Sequence, residues 1–135
     1  MLLWYAGVTA CVPEAKENAL KYLRALAKNS RIKKWPGALG LFVLGDKSRE
    51  DVLAEVIGSN QLDAAISVAK DDLLKRRYLA KALFYLASRK RSEGDEEACK
   101  FEMAECASLD NPVLEIEWYL ACAEVDRTKT ERAQS

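Results

Sequence analysis

The stretch Leu79-Ala80-Lys81-Ala82-Leu83-Phe84-Tyr85-Leu86-Ala87, followed by Gly94-Asp95-Glu96-Glu97-Ala98, by Asn111-Pro112 and by Trp118-Tyr119-Leu120-Ala121, decides the fold class. It spells helix, tight turn, helix, break, helix. The tetrad Phe84-Tyr85-Leu86-Ala87 returns as Trp118-Tyr119-Leu120-Ala121 after 34 residues, a spacing that belongs to arrays of helical hairpins. Such arrays are scaffolds more often than catalysts.

Working outward, Asp72 can cap a helix that runs to about Ser92. From Tyr78 to Ala87 this helix is apolar around nearly its whole circumference, which calls for neighbours on several sides. Its ends are basic, Lys75-Arg76-Arg77 and Arg89-Lys90-Arg91. After Gly94-Asp95 the next helix shows two apolar faces, Ala98/Phe101/Ala104 and Cys99/Met103/Cys106, with Glu102 and Glu105 between the first face and water. That is the pattern of a layer in a stack. Asn111-Pro112 breaks the chain and Val113 to Val125 forms a closing helix. One domain over 1–126 is expected, with 127–135 a polar tail that frays.

Toward the N-terminus, Met1 to Cys11 has large apolar residues among small ones, Ala6, Gly7 and Ala10, as suits a helix pressed closely by its neighbours. Pro13 stops it and opens the next helix. Glu14 and Glu17 near one end and Lys28 and Arg31 near the other agree with the helix dipole, and Leu20, Leu23 and Ala27 mark the core stripe. Trp35-Pro36 punctuates again. A short helix follows, with Leu39, Phe42 and Val43 inward, and ends around Gly45. Ser48 with Asp51 is close to a capping box and opens a helix whose apolar face is Val52, Leu53, Val56 and Ile57. Gly58-Ser59-Asn60 ends it. Gln61 to Lys70 is helical in pattern, and the pattern leaves open whether it continues through Asp71-Asp72. No segment has the alternation of a strand. Hairpin turns near Pro13, Asp46 and Asp95 give about three hairpins and a capping helix.

The totals exclude several functions. The chain has 135 residues, with Lys+Arg 21 against Asp+Glu 21, so no net field attracts nucleic acid. It has no histidine, which removes Ser-His-Asp and Cys-His chemistry and the usual near-neutral general base. Cys11, Cys99, Cys106 and Cys122 lack the C-x-x-C spacing of zinc or redox motifs. Cys99 and Cys106 share a helix face about 10 Å apart, too far for a disulfide; buried thiols are the plain reading. No cofactor or metal site is indicated. No apolar run reaches the ~20 residues of a membrane span. Val8-Thr9-Ala10-Cys11 looks like a lipoprotein cleavage box but lacks a basic leader, and the first helix of the fold is the simpler reading. Four thiols and no leader favour the cytoplasm; a chain trimmed of a leader, periplasmic or lipid-anchored, would look the same.

Trp35-Pro36, Leu39, Phe42, Leu44-Gly45, Ser48-x-Glu50-x-x-Leu53, Ala82-Leu83-Phe84-Tyr85-Leu86, Gly94-Asp95, Ala98, Phe101, Ala104 and Glu117 through Glu124 together resemble the bacterial tetratricopeptide-repeat proteins similar to the outer-membrane lipoprotein adaptor of peptidoglycan hydrolases. The resemblance covers nearly all of the chain. Ala87 stands where that family usually has glycine. It implies an all-α, right-handed stack of tetratricopeptide-like hairpins acting as a protein or peptide adaptor. It also implies a groove lined by the first helix of each hairpin, with Tyr85 and Arg89 facing it and Tyr5 and Tyr119 at the corresponding tetrad positions. Trp4, Phe84 and Trp118 are assigned to the core.

Charge is unevenly spread. Asp71 to Ser92 carries a net +5 and Glu93 to Asp126 a net −10. Lys75, Arg76, Arg77, Arg89, Lys90 and Arg91 would form a basic face, and Glu96, Glu97, Glu102 and Glu105 an acidic one. Adjacent faces of opposite sign steady one another or drive homo-oligomerisation. Carboxylate pairs such as Glu115/Glu117 and Glu102/Glu105 keep an enzyme reading open, but such pairs are common on helix surfaces. The basic residues flank an apolar segment instead of lining one face, which suits burial better than docking on membrane or nucleic acid.

Overall fold

In a computed structural model that describes residues 1–28, 37–58 and 61–134, the described residues form eight helices and no strand. These are α1 (Leu2–Thr9), α2 (Pro13–Ala27), α3 (Gly37–Leu44), α4 (Arg49–Ile57), α5 (Leu62–Lys70), α6 (Leu73–Ser92), α7 (Glu96–Ala107) and α8 (Ile116–Gln134). Arg31, the Trp35-Pro36 break and Ser59-Asn60 lie outside the described residues, as do the side chains of Val56 and Ile57.

Local chemistry sets the boundaries. Pro13 sits in the first turn of α2, where its missing N–H costs nothing. Ser48 Oγ accepts from the Asp51 N–H, Asp72 Oδ1 from the Lys75 N–H and Asp95 Oδ1 from the Ala98 N–H, each at 3.1 Å. Each such cap stabilises its helix by roughly 1 kcal/mol. Asp72 therefore starts a new helix, and α5 and α6 are separate. Gly94 turns the chain from α6 into α7 at φ +86°, a conformation that disfavours any side chain with a Cβ.

The centre of the molecule is α6, which packs against α1, α3, α4, α5, α7 and α8. This explains its all-round apolarity: from Leu79 to Ser88 every residue except Lys81 is buried. Trp4 and Phe84 are core residues, and Trp118 is partly buried against the core, its indole N–H donating to the Leu109 carbonyl at 3.1 Å. Cross-helix pairs give the directions. Tyr85 meets Glu117 and Arg91 meets Glu124, while the Tyr5 ring lies tilted against Phe84 and Thr9 meets Arg91. Position rises along both members each time, so α1, α6 and α8 run the same way. The small residues of α1 serve close packing on α2: a Cβ on Gly7 would stand 2.7 Å from the Lys16 backbone nitrogen.

Three expectations are corrected. The closing helix begins at Ile116, because Val113 and Leu114 have φ of 55° and 64° and Asn111 Oδ1 accepts from the Val113 N–H at 2.9 Å, forming a turn. It continues past Asp126 to Gln134, with the Thr128 and Thr130 hydroxyls donating to the Glu124 and Asp126 carbonyls. On α7 only the Cys99/Met103/Cys106 face is buried, since α6 and α8 are the helices packed on it; Phe101 is 63% exposed and Ala104 is exposed. Glu102, assigned to an acidic solvent face, is instead buried and ion-paired with Arg49 of α4.

Candidate functional site

A cleft of about 480 Å³ opens among α1, α3, α6 and α8, with α2 closing one side. From α6, Lys81 and Tyr85 point into it, one helical turn apart on the same face. Leu39 and Gly40 of α3 and Glu117 of α8 complete the floor. The rim is apolar: Leu2 and Leu3 of α1 and Tyr22 and Leu26 of α2, all exposed. Tyr22 and Leu26 are themselves one turn apart, a second apolar stripe on α2 that its core stripe does not require.

Tyr85 is 2% exposed and its hydroxyl donates to Glu117 Oε1 at 3.2 Å. Burial, then the Glu117 charge, pushes its phenol well above the ordinary value, so it stays a neutral donor. Glu115, the neighbouring carboxylate, is buried and held by Arg77 Nε at 2.9 Å and Lys81 Nζ at 3.5 Å. The cleft thus offers apolar contact area and a few fixed polar groups.

The other candidates are placed elsewhere. Arg89 donates to the Val43 carbonyl at 2.5 Å, at the C-terminal end of α3, and to Glu93 at 3.1 Å; it ties α3 to α6 outside the cleft lining. Tyr5 is half-buried and donates to Glu124 Oε1 at 2.5 Å. Burial, reinforced by Glu124, pushes its phenol up to about 12. Tyr119 is 52% exposed, edge-on to Trp118 at 5.0 Å, and does not line the cleft. Of the four, Tyr85 alone lies in the cleft.

The charged residues do not form two opposed free faces. Arg76 caps α5 through the Ala69 and Lys70 carbonyls. Arg91 is almost enclosed: it bonds Glu124 at 2.8 Å and 3.1 Å, Glu96 at 2.9 Å and the Thr9 hydroxyl at 2.9 Å. Burial works to raise the Glu124 carboxyl, but hydrogen bonds from Arg91 and Tyr5 and the charges of Arg91 and Arg127 outweigh it and leave it below the usual value. Glu97 is exposed, while Lys75, Lys90 and Glu105 are partly so.

The four cysteines are free. Cys106 donates to the Ala80 carbonyl at 3.2 Å and burial drives its thiol well up; burial likewise raises Cys99 to about 11. Among the described residues no cluster of acidic or thiol groups could hold a metal ion, and no helix is long and apolar enough to cross a membrane. Comparison with family models, with curated proteins and with solved structures gives no match for the chain.

Proposed function

We propose that this chain is a non-catalytic protein-interaction module that receives an apolar segment of a protein or peptide partner in the cleft among its leading helices. The observation that carries this reading is the cleft itself: Leu3, Tyr22 and Leu26 stay exposed around a floor of buried Tyr85, where α1, α3, α6 and α8 meet. The tetratricopeptide-like arrangement belongs to the same proposal. Its support is that α6 and α8, which carry the repeated tetrad, lie side by side in the same direction and pair Tyr85 with Glu117 and Arg91 with Glu124, separations of 32 and 33 residues that approach the repeat length.

Self-association through complementary charged faces loses support because Arg77 and Arg91 meet their counter-charges within the chain. The reading of Val8-Thr9-Ala10-Cys11 as a cleavage box loses support because cleavage before Cys11 would remove α1 and with it Trp4, among the largest fully buried side chains.

The test is capture of partners from the native host by wild type and by Leu3→Glu/Tyr22→Glu, both substitutions at exposed positions, with circular dichroism confirming that each chain is folded. Partners held by wild type are expected to be lost by the double variant. The same set captured by both would reject the cleft.

A further inference from the structure

A second groove, sharing no lining residue with the cleft, runs between α7 and α8 and encloses about 310 Å³. Each helix offers it one stripe, Glu97, Lys100/Phe101 and Ala104 from α7 and Val125, Thr128/Lys129 and Arg132 from α8. Positions 0, 3/4 and 7 on a helix span about 10 Å, so the groove is roughly two turns long. Its apolar strip contains Phe101, which is 63% exposed although Cys99 and Met103, two residues either side, are buried. A successive offset of two residues turns the side chain about 200° around the helix, so Phe101 faces away from the core and contributes little to it.

Each helix brings a lysine to this strip, Lys100 from α7 and Lys129 from α8. Lys100 and Lys129 stand against Glu97, and the carboxylate at the inner edge, Glu124, is already engaged by Arg91, Arg127 and Tyr5. Among the described residues no ion pair holds the Lys100 or Lys129 ammonium. We propose that the α7–α8 groove docks an acidic amphipathic helix of a partner protein, seating an apolar side chain on Phe101, Ala104 and Val125 while flanking carboxylates pair with Lys100 and Lys129. A third helix laid in the furrow between two others buries its apolar anchors at i, i+3/i+4 and i+7, which matches the two-turn length. This rests on the chain being an interaction module but not on the leading-helix cleft.

The experiment is a display selection on the full chain with a library of helical peptides whose apolar stripe is fixed and whose flanking positions vary among Glu, Gln, Ser and Lys. Glu is expected to be enriched beside the anchor. Enriched peptides should bind Lys100→Glu/Lys129→Glu at least about tenfold more weakly, Phe101→Ala more weakly, and Leu3→Glu/Tyr22→Glu unchanged. The three altered chains carry substitutions at positions outside the buried core, and circular dichroism checks their folding. Absence of Glu enrichment overturns the proposal while leaving the cleft reading standing. Binding lost only in Leu3→Glu/Tyr22→Glu overturns it too, because the peptides then occupy the cleft. A salt-sensitive dimer of the chain that Phe101→Asp dissolves would assign the groove to a second copy and overturn it as well.

Discussion

Replacing Arg91 by Met keeps most of the side-chain stem and removes its charge from a nearly enclosed site, where the Arg91 and Glu124 side chains are 10% and 7% exposed. Arg91 Nη2 lies 2.8 Å from Glu124 Oε2. At an effective dielectric of about 20 that contact is worth roughly 6 kcal/mol of attraction, much of it offset by the desolvation of both groups. Removing one partner strands the other charge, which typically costs about 3 to 5 kcal/mol. Because Arg127 and Tyr5 continue to hold Glu124, the lower end is expected, about 3 kcal/mol, a large part of the roughly 5 to 15 kcal/mol available to a domain. In thermal unfolding this corresponds to a fall of about 10 °C. The double variant Arg91→Met/Glu124→Leu should return to within about 1 kcal/mol of wild type, since apolar replacement of a buried pair is often neutral. The pH response follows from the same pair. Glu124 has a lowered carboxyl value in the folded state, so its contribution is full above the ordinary value of 4.5 and is lost as pH falls through the folded value. Urea denaturation followed by circular dichroism at several pH values reads all three effects. A loss below about 1 kcal/mol for Arg91→Met, or strictly additive single and double variants, would refute the reasoning.

Phe84→Ala removes a fully buried ring at the centre of α6 and should cost about 3 to 5 kcal/mol, read as a shift in the urea midpoint. Gly7→Ala forces a methyl toward the Lys16 backbone 2.7 Å away, and overpacking of this kind should destabilise the chain by about 1 to 3 kcal/mol; an unchanged midpoint would show that α1 and α2 are not in close contact. The raised Tyr5 phenol makes folding lose stability as pH rises from its ordinary 10.0 toward about 12, and Tyr5→Phe should flatten that alkaline slope; equal slopes in the two chains would contradict the Tyr5–Glu124 contact.

Much of the fold is legible in local chemistry. Pro13, Ser48, Asp72 and Asp95 mark helix starts because the residue that satisfies a helix end lies within three positions of the group it satisfies. The all-round apolarity of Tyr78 to Ala87 announces a central helix, and the structure surrounds it. The errors arise where the partner is distant in sequence. Glu102, Glu115 and Glu117 read as helix-surface carboxylates, yet each is buried, as is Glu124, since its countergroup arrives from another helix: Arg49, Arg77 and Lys81, Tyr85, and Arg91. The adjoining net +5 and −10 segments were the available sign that these charges meet inside the molecule. Phe101 fails in the opposite direction. Its hydrophobicity suggests burial, but α6 and α8 cover only the other side of α7. Of the residues that the resemblance placed in a groove, Tyr85 lines the cleft and Arg89, Tyr5 and Tyr119 do not. Tyr22 and Leu26 were not singled out, although their one-turn spacing off the core stripe of α2 carried the signal.

The proposed function places a partner in the cleft among α1, α3, α6 and α8. Hydrogen–deuterium exchange of the chain, alone and bound to a partner captured from the native host, tests it most directly. Slowed exchange is expected in peptides covering α1, the Tyr22 to Leu26 turn of α2 and the Lys81 to Tyr85 turn of α6. Unchanged exchange in all three, with protection confined to other helices, would contradict the account.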